Sequence, residues 1–517
     1  MGLTLLWVMS LLQIQSIGVQ VRSGILPDQI YGVLTKDYKK AGMNRAAFVI
    51  IVVGVVLVSF SVLGAAAPRQ PNFVFIIADD CTFRDIGCYG GQALTPNIDR
   101  LATQGLKFEQ CFQTVPMCSP TRHTIYTGLY PVKSGAWPNH TFAYDHVKSI
   151  VQYLKPFGYR VALSGKRHIA PESVFPFEYS GKKTNNPNMN AIERLIKESK
   201  EAGNPFCLFA CSNEPHTPWN KGEASKYPPD QVKLPSYIAD TPTVRADFSR
   251  YLAEITYFDS QVGEVLELLD QYGIADDTVV MVTSEQGNAF PFAKWTCYDN
   301  GLQTAMIVRW PGRIPAGQTT DAMVEYVDIV PTMVELAGGI PVPVLDGKSF
   351  LPVLERKTDH HKDYSYGLMT ARGIFFGPDA YPIRSVRSDR FKLIFNLNSK
   401  EKFTNAATEN SDYYRSIVDA ARAGDQRAAE LVDKFQNRPT MEFFDVVKDP
   451  NCQTNLADNP EYAAEISKLR KELDKWMTSQ GDNGLETEYG ADRRCTYLLK
   501  EKRGHKKQRS SKSADDE

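Results

Sequence analysis

The sequence has almost no net charge. Its 59 Lys and Arg residues meet 60 Asp and Glu, a formal balance of -1. Such a balance excludes a chain steered as a whole toward nucleic acid or an acidic polymer, so any anion site is local. There is no Cys-x-x-Cys pair and no His-Glu-x-x-His run, which removes the usual grounds for a zinc site. Histidine is scarce, with eight in 517 residues. His360, His361 and His505 fall in loop-like or tail sequence, which leaves few candidates for acid–base work.

What is present begins with an apolar N-terminal run. Residues 46–67 are apolar or small, follow Lys39, Lys40 and Arg45, and close on Ala65-Ala66-Ala67. A basic flank, an apolar stretch and a small-residue end are the parts of an export signal. Residues 1–69 are therefore read as export signal and upstream extension, with Met43 as a tidier start. The protein is expected to be exported, to periplasm, lysosome or cell exterior according to the host. The run is also long enough to span a bilayer, which keeps an uncleaved membrane anchor open. Export permits disulfides among the nine cysteines. Cys207 and Cys211 share one face of a strand-like run about 13 Å apart, too far to bond each other.

From about residue 71 to 345, strand-like runs alternate with amphipathic stretches, the pattern of an α/β domain with a largely parallel sheet. Phe73-Val74-Phe75-Ile76-Ile77-Ala78 ends in Asp79-Asp80. Val161-Ala162-Leu163-Ser164 ends in Gly165-Lys166-Arg167-His168. Phe206-Cys207-Leu208-Phe209-Ala210 leads through Ser212-Asn213-Glu214 to Pro215-His216. Thr278-Val279-Val280-Met281-Val282-Thr283 ends in Glu285-Gln286-Gly287. Each cluster follows a strand's carboxyl end, where open α/β sheets bind ligands. One such cluster reads as a turn. Together, carrying acids, a lysine and two histidines, they predict a single cleft.

Apolar spacing predicts helices over 247–272 and 327–337. Beyond about residue 360, strands at 383–386, 391–395 and 442–446 and a helix over 461–476 predict a smaller α+β unit with an antiparallel sheet. The expected divisions are a catalytic domain over 70–355, a C-terminal subdomain over 356–485 and a disordered tail over 486–517. Residues 403–440 read as a polar, helix-prone insertion. The Lys- and Ser-rich end reads as a solvated tail and not as a nucleic-acid arm.

The run Cys118-Ser119-Pro120-Thr121-Arg122, followed by Thr127-Gly128, has the form Cys-x-Pro-x-Arg. Pro120 suits an early helical position. That puts Cys118 at a helix N-terminus, which favours anions and activated nucleophiles. Arg122 then lies on the first turn, able to hold residue 118 or a bound anion. Asp79, Asp80, Glu285 and Gln286 offer hard oxygen ligands suited to calcium or magnesium. A lone Asp-Asp pair is ordinarily a turn or cap. Behind a buried strand, two unpaired carboxylates are costly, and a bound cation removes the cost. Lys166 and Lys294 suit the oxygens of an anion, and His168 and His216 are the acid–base candidates. His123 is read as structural, and Asn139-His140-Thr141 as a sequon that matters only in a glycosylating host.

Together these residues resemble the type I sulfatases of the alkaline phosphatase superfamily, over about residues 70–480. The resemblance is carried by Asn72 through Asp80, Thr95-Pro96-Asn97-Ile98-Asp99, the Cys118 run, Gly165 to His168, Pro215-His216-Thr217-Pro218 and Arg309-Trp310-Pro311-Gly312. Within the family the chain is similar to the heparan N-sulfatases. That likeness runs through Gly165-Lys166-Arg167-His168-Ile169-Ala170-Pro171-Glu172, then Asp240-Thr241-Pro242 with Arg245-Ala246-Asp247. It continues through Tyr381-Pro382-Ile383-Arg384-Ser385-Val386 to Asn396-Leu397-Asn398.

The resemblance implies an alkaline-phosphatase-like α/β domain, with a large mostly parallel sheet between helices and a smaller antiparallel C-terminal unit. It implies that a formylglycine-generating enzyme converts Cys118 to formylglycine. A calcium ion is implied on Asp79, Asp80, residue 118, Glu285 and Gln286. Arg122, Lys166, His168, His216 and Lys294 are implied to line a sulfate pocket. In that scheme a hydroxyl of the hydrated aldehyde attacks sulfur. His216 and Lys294 protonate the departing atom, and His168 takes the proton that releases sulfate. The implied substrate is a sulfated carbohydrate. The chain departs from the family at Glu285-Gln286, where Asp followed by Asn or His is usual; both residues are one methylene longer. A phosphate or phosphonate monoester hydrolase and a non-catalytic sulfated-glycan binder are the competing readings. The segment 381–387 is the expected specificity wall.

Overall fold

The computed structural model describes residues 70–181, 184–496 and 499. The export-signal reading of 1–69 and the tail from Lys500 lie outside the described residues. Among the described residues no helix is long and apolar enough to cross a membrane.

The main sheet contains β1 (Asn72–Ala78), β2 (Leu106–Phe112), β3 (Arg160–Gly165), β4 (Glu178–Tyr179), β5 (Phe206–Cys211), β6 (Thr278–Ser284), β7 (Gln303–Arg309), β8 (Gln318–Thr320) and β9 (Val324–Glu325). Its order is β4-β3-β5-β1-β6-β7-β2-β8, with β9 beside β2. The strands foreseen from sequence are consecutive neighbours, β3-β5-β1-β6, all parallel. Their carboxyl ends therefore share one edge. Only β7 runs antiparallel to its neighbours β6 and β2.

Both faces of this sheet are buried, which is why its strands read as continuous apolar runs. Val74, Ile76, Val280 and Val282 pack into one cluster, and Phe73, Phe75, Val279 and Met281 into the other. The first cluster is covered by helices α1 (Pro96–Gln104), α3 (Met189–Ala202) and α4 (Pro242–Gln271); the second by α2 (Cys118–Thr127) and α5 (Ile329–Leu336). Helix α4 starts before the expected 247. The Thr241 side chain accepts from Val244 N, and Pro242 takes the first helical turn, the usual chemistry of a helix start.

The C-terminal sheet is antiparallel, in the order β10 (Ser365–Met369), β11 (Ile383–Arg387), β12 (Phe391–Asn396), β13 (Met441–Asp445). Residues 403–440 fold as a helical pair, α6 (Asp412–Arg422) and α7 (Gln426–Gln436), after a short turn at Ala406–Glu409. Helix α8 (Ala463–Gln480) packs on β11 and β12. Leu368, Val386, Leu393, Phe443 and Trp476 join the same buried cluster as Val280, so both sheets share one core.

The expected boundary at 485 lies too early. Helix α9 (Leu485–Gly490) follows it, and Thr141 bridges to Cys495. The buried Glu488 carboxylate accepts from Ala371 N at 2.8 Å and Tyr381 N at 3.1 Å. Residues 486–496 are held because they satisfy buried backbone donors. None of the nine cysteines forms a disulfide.

Candidate active site

The strand ladder continues into the site. Asp79 N donates to Glu214 O, Glu285 N to Ala78 O and Lys166 N to Cys211 O, at 3.1, 3.0 and 2.9 Å. These bonds bring the four clusters to one place. Two of the turns are left-handed at non-glycine residues, Asp80 at φ 57° and His168 at φ 48°. Gly165, at φ 96°, leads into the second: a Cβ there would lie 2.0 Å from Cys211 O. Only glycine lets β3 exit so close to β5.

Cys118 opens α2 as expected, at the floor of a 580 Å³ cavity. Lys166, His168, His216 and Lys294 line the same cavity. Beneath them lie the acids. The Lys294 ammonium is 2.6 Å from Asp80 Oδ2, Lys166 pairs with Asp79, and His216 Nε2 is 3.6 Å from Asp80 Oδ2. Gln286 Nε2 donates to Asp80 Oδ1 at 2.6 Å.

The electrostatics follow from burial and neighbours. Burial lowers Lys166 to about 8. It would lower Lys294 too, but the Asp80 carboxylate outweighs it and holds that ammonium above its ordinary value. Burial and Lys294 bring His216 down to about 4. Burial, with Lys166 and His140, puts His168 well below its ordinary value. Burial pushes the Cys118 thiol up to about 12, against the pull of Lys294.

The donor set fits a hard divalent cation. Asp79, Cys118 and Glu285 each bring one ligand atom within 4.8 Å of the others. Asp79 Oδ1, Glu285 Oε1 and Gln286 Oε1 are buried and have no hydrogen-bond partner among the described residues. Such oxygens are expensive to bury alone and are the ligands calcium and magnesium prefer. The extra methylenes do not spoil the set. Glu285 spends Oε2 on Arg122, at 2.9 Å, and keeps Oε1 over.

Three expectations change. Arg122 does not line the cavity: it is fully buried behind it, bonded to Glu285 and to Lys166 O. The segment 381–387 forms no specificity wall. Tyr381 and β11 are buried, Arg384 pairs with Asp482, and Arg387 pairs with Asp299. The cavity is lined on the C-terminal side instead by Phe375 and by Ala406, Ala407, Asn410, Ser411 and Tyr413. Finally, Asn139 is buried, lines the cavity, and sets Oδ1 3.9 Å from Cys118 Sγ. A glycan on it would have to fill the cavity, so the sequon reading fails.

His123 is structural, as expected. Its ring lies 2.7 Å from Ser119 O and 3.0 Å from Ala170 O, and burial lowers it to about 4. Asn139, His140, Asn213, Trp295 and Phe375 also face the cavity. Of these, only Asn213 stands in a strand-end cluster singled out in the sequence; Asn139 and His140 read there as a sequon.

An alkaline-phosphatase-like α/β fold, with acids, lysines and histidines gathered around a helix-opening Cys-x-Pro-x-Arg, defines a sulfatase. The family described as Sulfatase matches residues 71–340, and the chain belongs to it. The family described as N-sulphoglucosamine sulphohydrolase, C-terminal, matches residues 287–411. An ulvan-active sulfatase of Formosa agariphila is 33% identical over 429 residues, 81% of this chain and 82% of that protein. The human N-sulphoglucosamine sulphohydrolase is 28% identical over 475 residues, 81% and 92% of the two chains. A solved structure in complex with its substrate D-glucosamine-2-N,6-O-disulfate shares the fold, with a TM-score of 0.60, 19% identity and coverage of 80% and 99%. The protein is a sulfuric ester hydrolase.

Proposed function

We propose that this enzyme removes sulfate from esters or sulfamates on a sulfated glycan, using formylglycine at position 118 and a calcium ion. The observation that carries the proposal is three buried oxygens, on Asp79, Glu285 and Gln286, with no hydrogen-bond partner among the described residues, the first two grouped with Cys118, which lines the cavity. Asp79, Asp80, Glu285 and Gln286, with residue 118, would hold the ion, whose charge would polarise a sulfate oxygen. Formylglycine would supply a hydrated aldehyde as nucleophile; a formylglycine-generating enzyme would be the maturation partner.

The chain's own residues do the rest. Lys166 and Lys294 present ammonium groups to the cavity, where they balance the charge of a sulfate group. Lys294 and His216 stand together at Asp80, within reach of a departing oxygen or nitrogen. His168 lines the same cavity as residue 118 and is the acceptor for the proton that leaves with sulfate release. Asn139, Asn213 and Asn410 offer amides to sugar hydroxyls, and Trp295 and Phe375 offer apolar faces to the ring. We also propose export through residues 46–67. N-terminal sequencing of the secreted protein should begin after Ala67, and a start upstream of the apolar run would contradict cleavage.

The decisive measurement is a peptide mass of the Cys118 segment from the native host, followed by assay on O- and N-sulfated sugars with an aryl phosphonate for comparison. An aldehyde mass with sulfate release is expected. An intact thiol in protein that still binds sulfated glycan without turnover would overturn the proposal.

A further inference from the structure

His140 was set aside in the sequence as the middle of a sequon. In the fold it faces His168. His140 Nδ1 lies 3.1 Å from His168 Nε2, with ring centroids 4.9 Å apart and planes 50° from one another. Both rings line the cavity. Both residues are left-handed, His140 at φ 54° and His168 at φ 48°, a conformation uncommon outside glycine and persistent only where the surroundings impose it.

The surroundings are specific. Ser119, the neighbour of Cys118, donates its hydroxyl to His168 O at 2.9 Å and accepts from Thr141 N at 3.3 Å. The His140 carbonyl accepts from Thr496 N at 2.9 Å and from Thr496 Oγ1 at 2.8 Å. Phe375 closes the outer side of the His140 ring, centroids 5.8 Å apart. One serine thus ties both histidine segments to the helix that begins at residue 118.

We propose that His140 is a positioning residue for His168: it accepts the His168 Nε2 proton, fixes that tautomer, and leaves His168 Nδ1 as the nitrogen that takes a proton from the reacting centre. This rests on the assignment of His168 as the accepting base. Two neutral imidazoles at this separation share one proton, so one donates and the other accepts. When His168 gains a second proton, the bond to His140 becomes charge-assisted and stronger. His168 needs that support. The groups acting on it are Lys166, Arg122 and His123, and Lys294 acts on His140. Each of these disfavours charge on the ring it acts on. The imidazole of His140 is the acceptor turned toward it. No proton need leave the pair: His168 holds one at each nitrogen until it returns the new one to solvent.

Two substitutions suit the left-handed backbone. His140→Gly removes the ring without straining φ, and His140→Asn keeps an acceptor near the place of Nδ1. On a sulfated substrate, His140→Gly should lower kcat about tenfold or more and leave KM within about twofold. His140→Asn should recover most of the loss. The second readout needs no turnover. Long-range nitrogen–proton NMR on Cys118→Ala protein should find His168 as the Nε2–H tautomer, and the added His140→Gly change should abolish that preference. An unchanged His168 tautomer overturns the proposal whether or not the enzyme turns over. So does a His140→Gly enzyme with unchanged kcat. A chain with intact thiol and no turnover would sink the formylglycine assignment and leave the NMR result to decide this one.

Discussion

Arg122 and Glu285 are both fully buried and 2.9 Å apart. Removing the charge of one strands the other in a medium that solvates it poorly. Glu285→Gln should therefore cost about 3–5 kcal/mol of stability, read as a lower denaturant midpoint. A midpoint unchanged from wild type would mean the pair is not buried as described. Cys118→Ala has a different signature. The side chain is small and the helix start does not depend on its sulfur, since Met117 is the cap residue and Gly128 closes the far end. The variant should fold with the wild-type midpoint and show no turnover; measurable sulfate release would remove residue 118 from the chemistry.

Helix α4 carries a buried carboxyl at Glu254. Its Oε1 accepts from Asn220 N at 2.5 Å and Lys221 N at 2.9 Å, while Oε2 has no partner among the described residues. Burial pushes this group from 4.5 up to about 8, with the Glu214 carboxylate adding to it. The folded chain therefore keeps a proton that the unfolded chain releases. The contribution to stability is full below pH 4.5 and is lost as pH rises to about 8. Glu254→Gln should remove that alkaline decline, giving a flatter midpoint between pH 5 and pH 9, about the window of this shift. The turn before α6 carries a functional test. Asn410 faces the cavity and lies far along the chain from every strand end that builds the floor. Asn410→Ala should raise KM for a glycan several-fold and leave kcat for a small aryl sulfate unchanged. Equal losses on both substrates would place Asn410 in the chemistry.

At the scale of the molecule, the oxygens proposed to hold the ion follow the ends of β1 and β6, and the proposed nucleophile position opens α2. Their meeting depends on the whole sheet. Thorough chelation should lower activity and calcium should restore it; full activity after metal stripping would exclude the ion from the reaction. The strand-end clusters were legible because strands buried on both faces are apolar throughout, and a polar group after such a run stands out. Lys166, His168, His216, Glu285 and Gln286 were found that way. The order β3-β5-β1-β6 was not, because parallel neighbours are joined by long crossovers and not by turns that declare their pairing. Strand β10 and helix α9 also escaped notice. Neither carries an end signal distinct from the loops around it.

The sequence alone determined the α/β class, the family, the position of Cys118 at a helix start and the acids, lysines and histidines around it. These are written in local patterns: strand-length apolar runs, a proline that starts a helix, charges at strand ends. Tertiary structure decided the rest. It put Arg122 behind the cavity because Glu285 offers it a buried partner. It took 381–387 into a sheet and brought Phe375 and residues 406–413 to line the cavity. It turned a sequon into a histidine pair through one shared serine. Each of these depends on which distant backbone comes within hydrogen-bonding distance, and no local pattern encodes that distance.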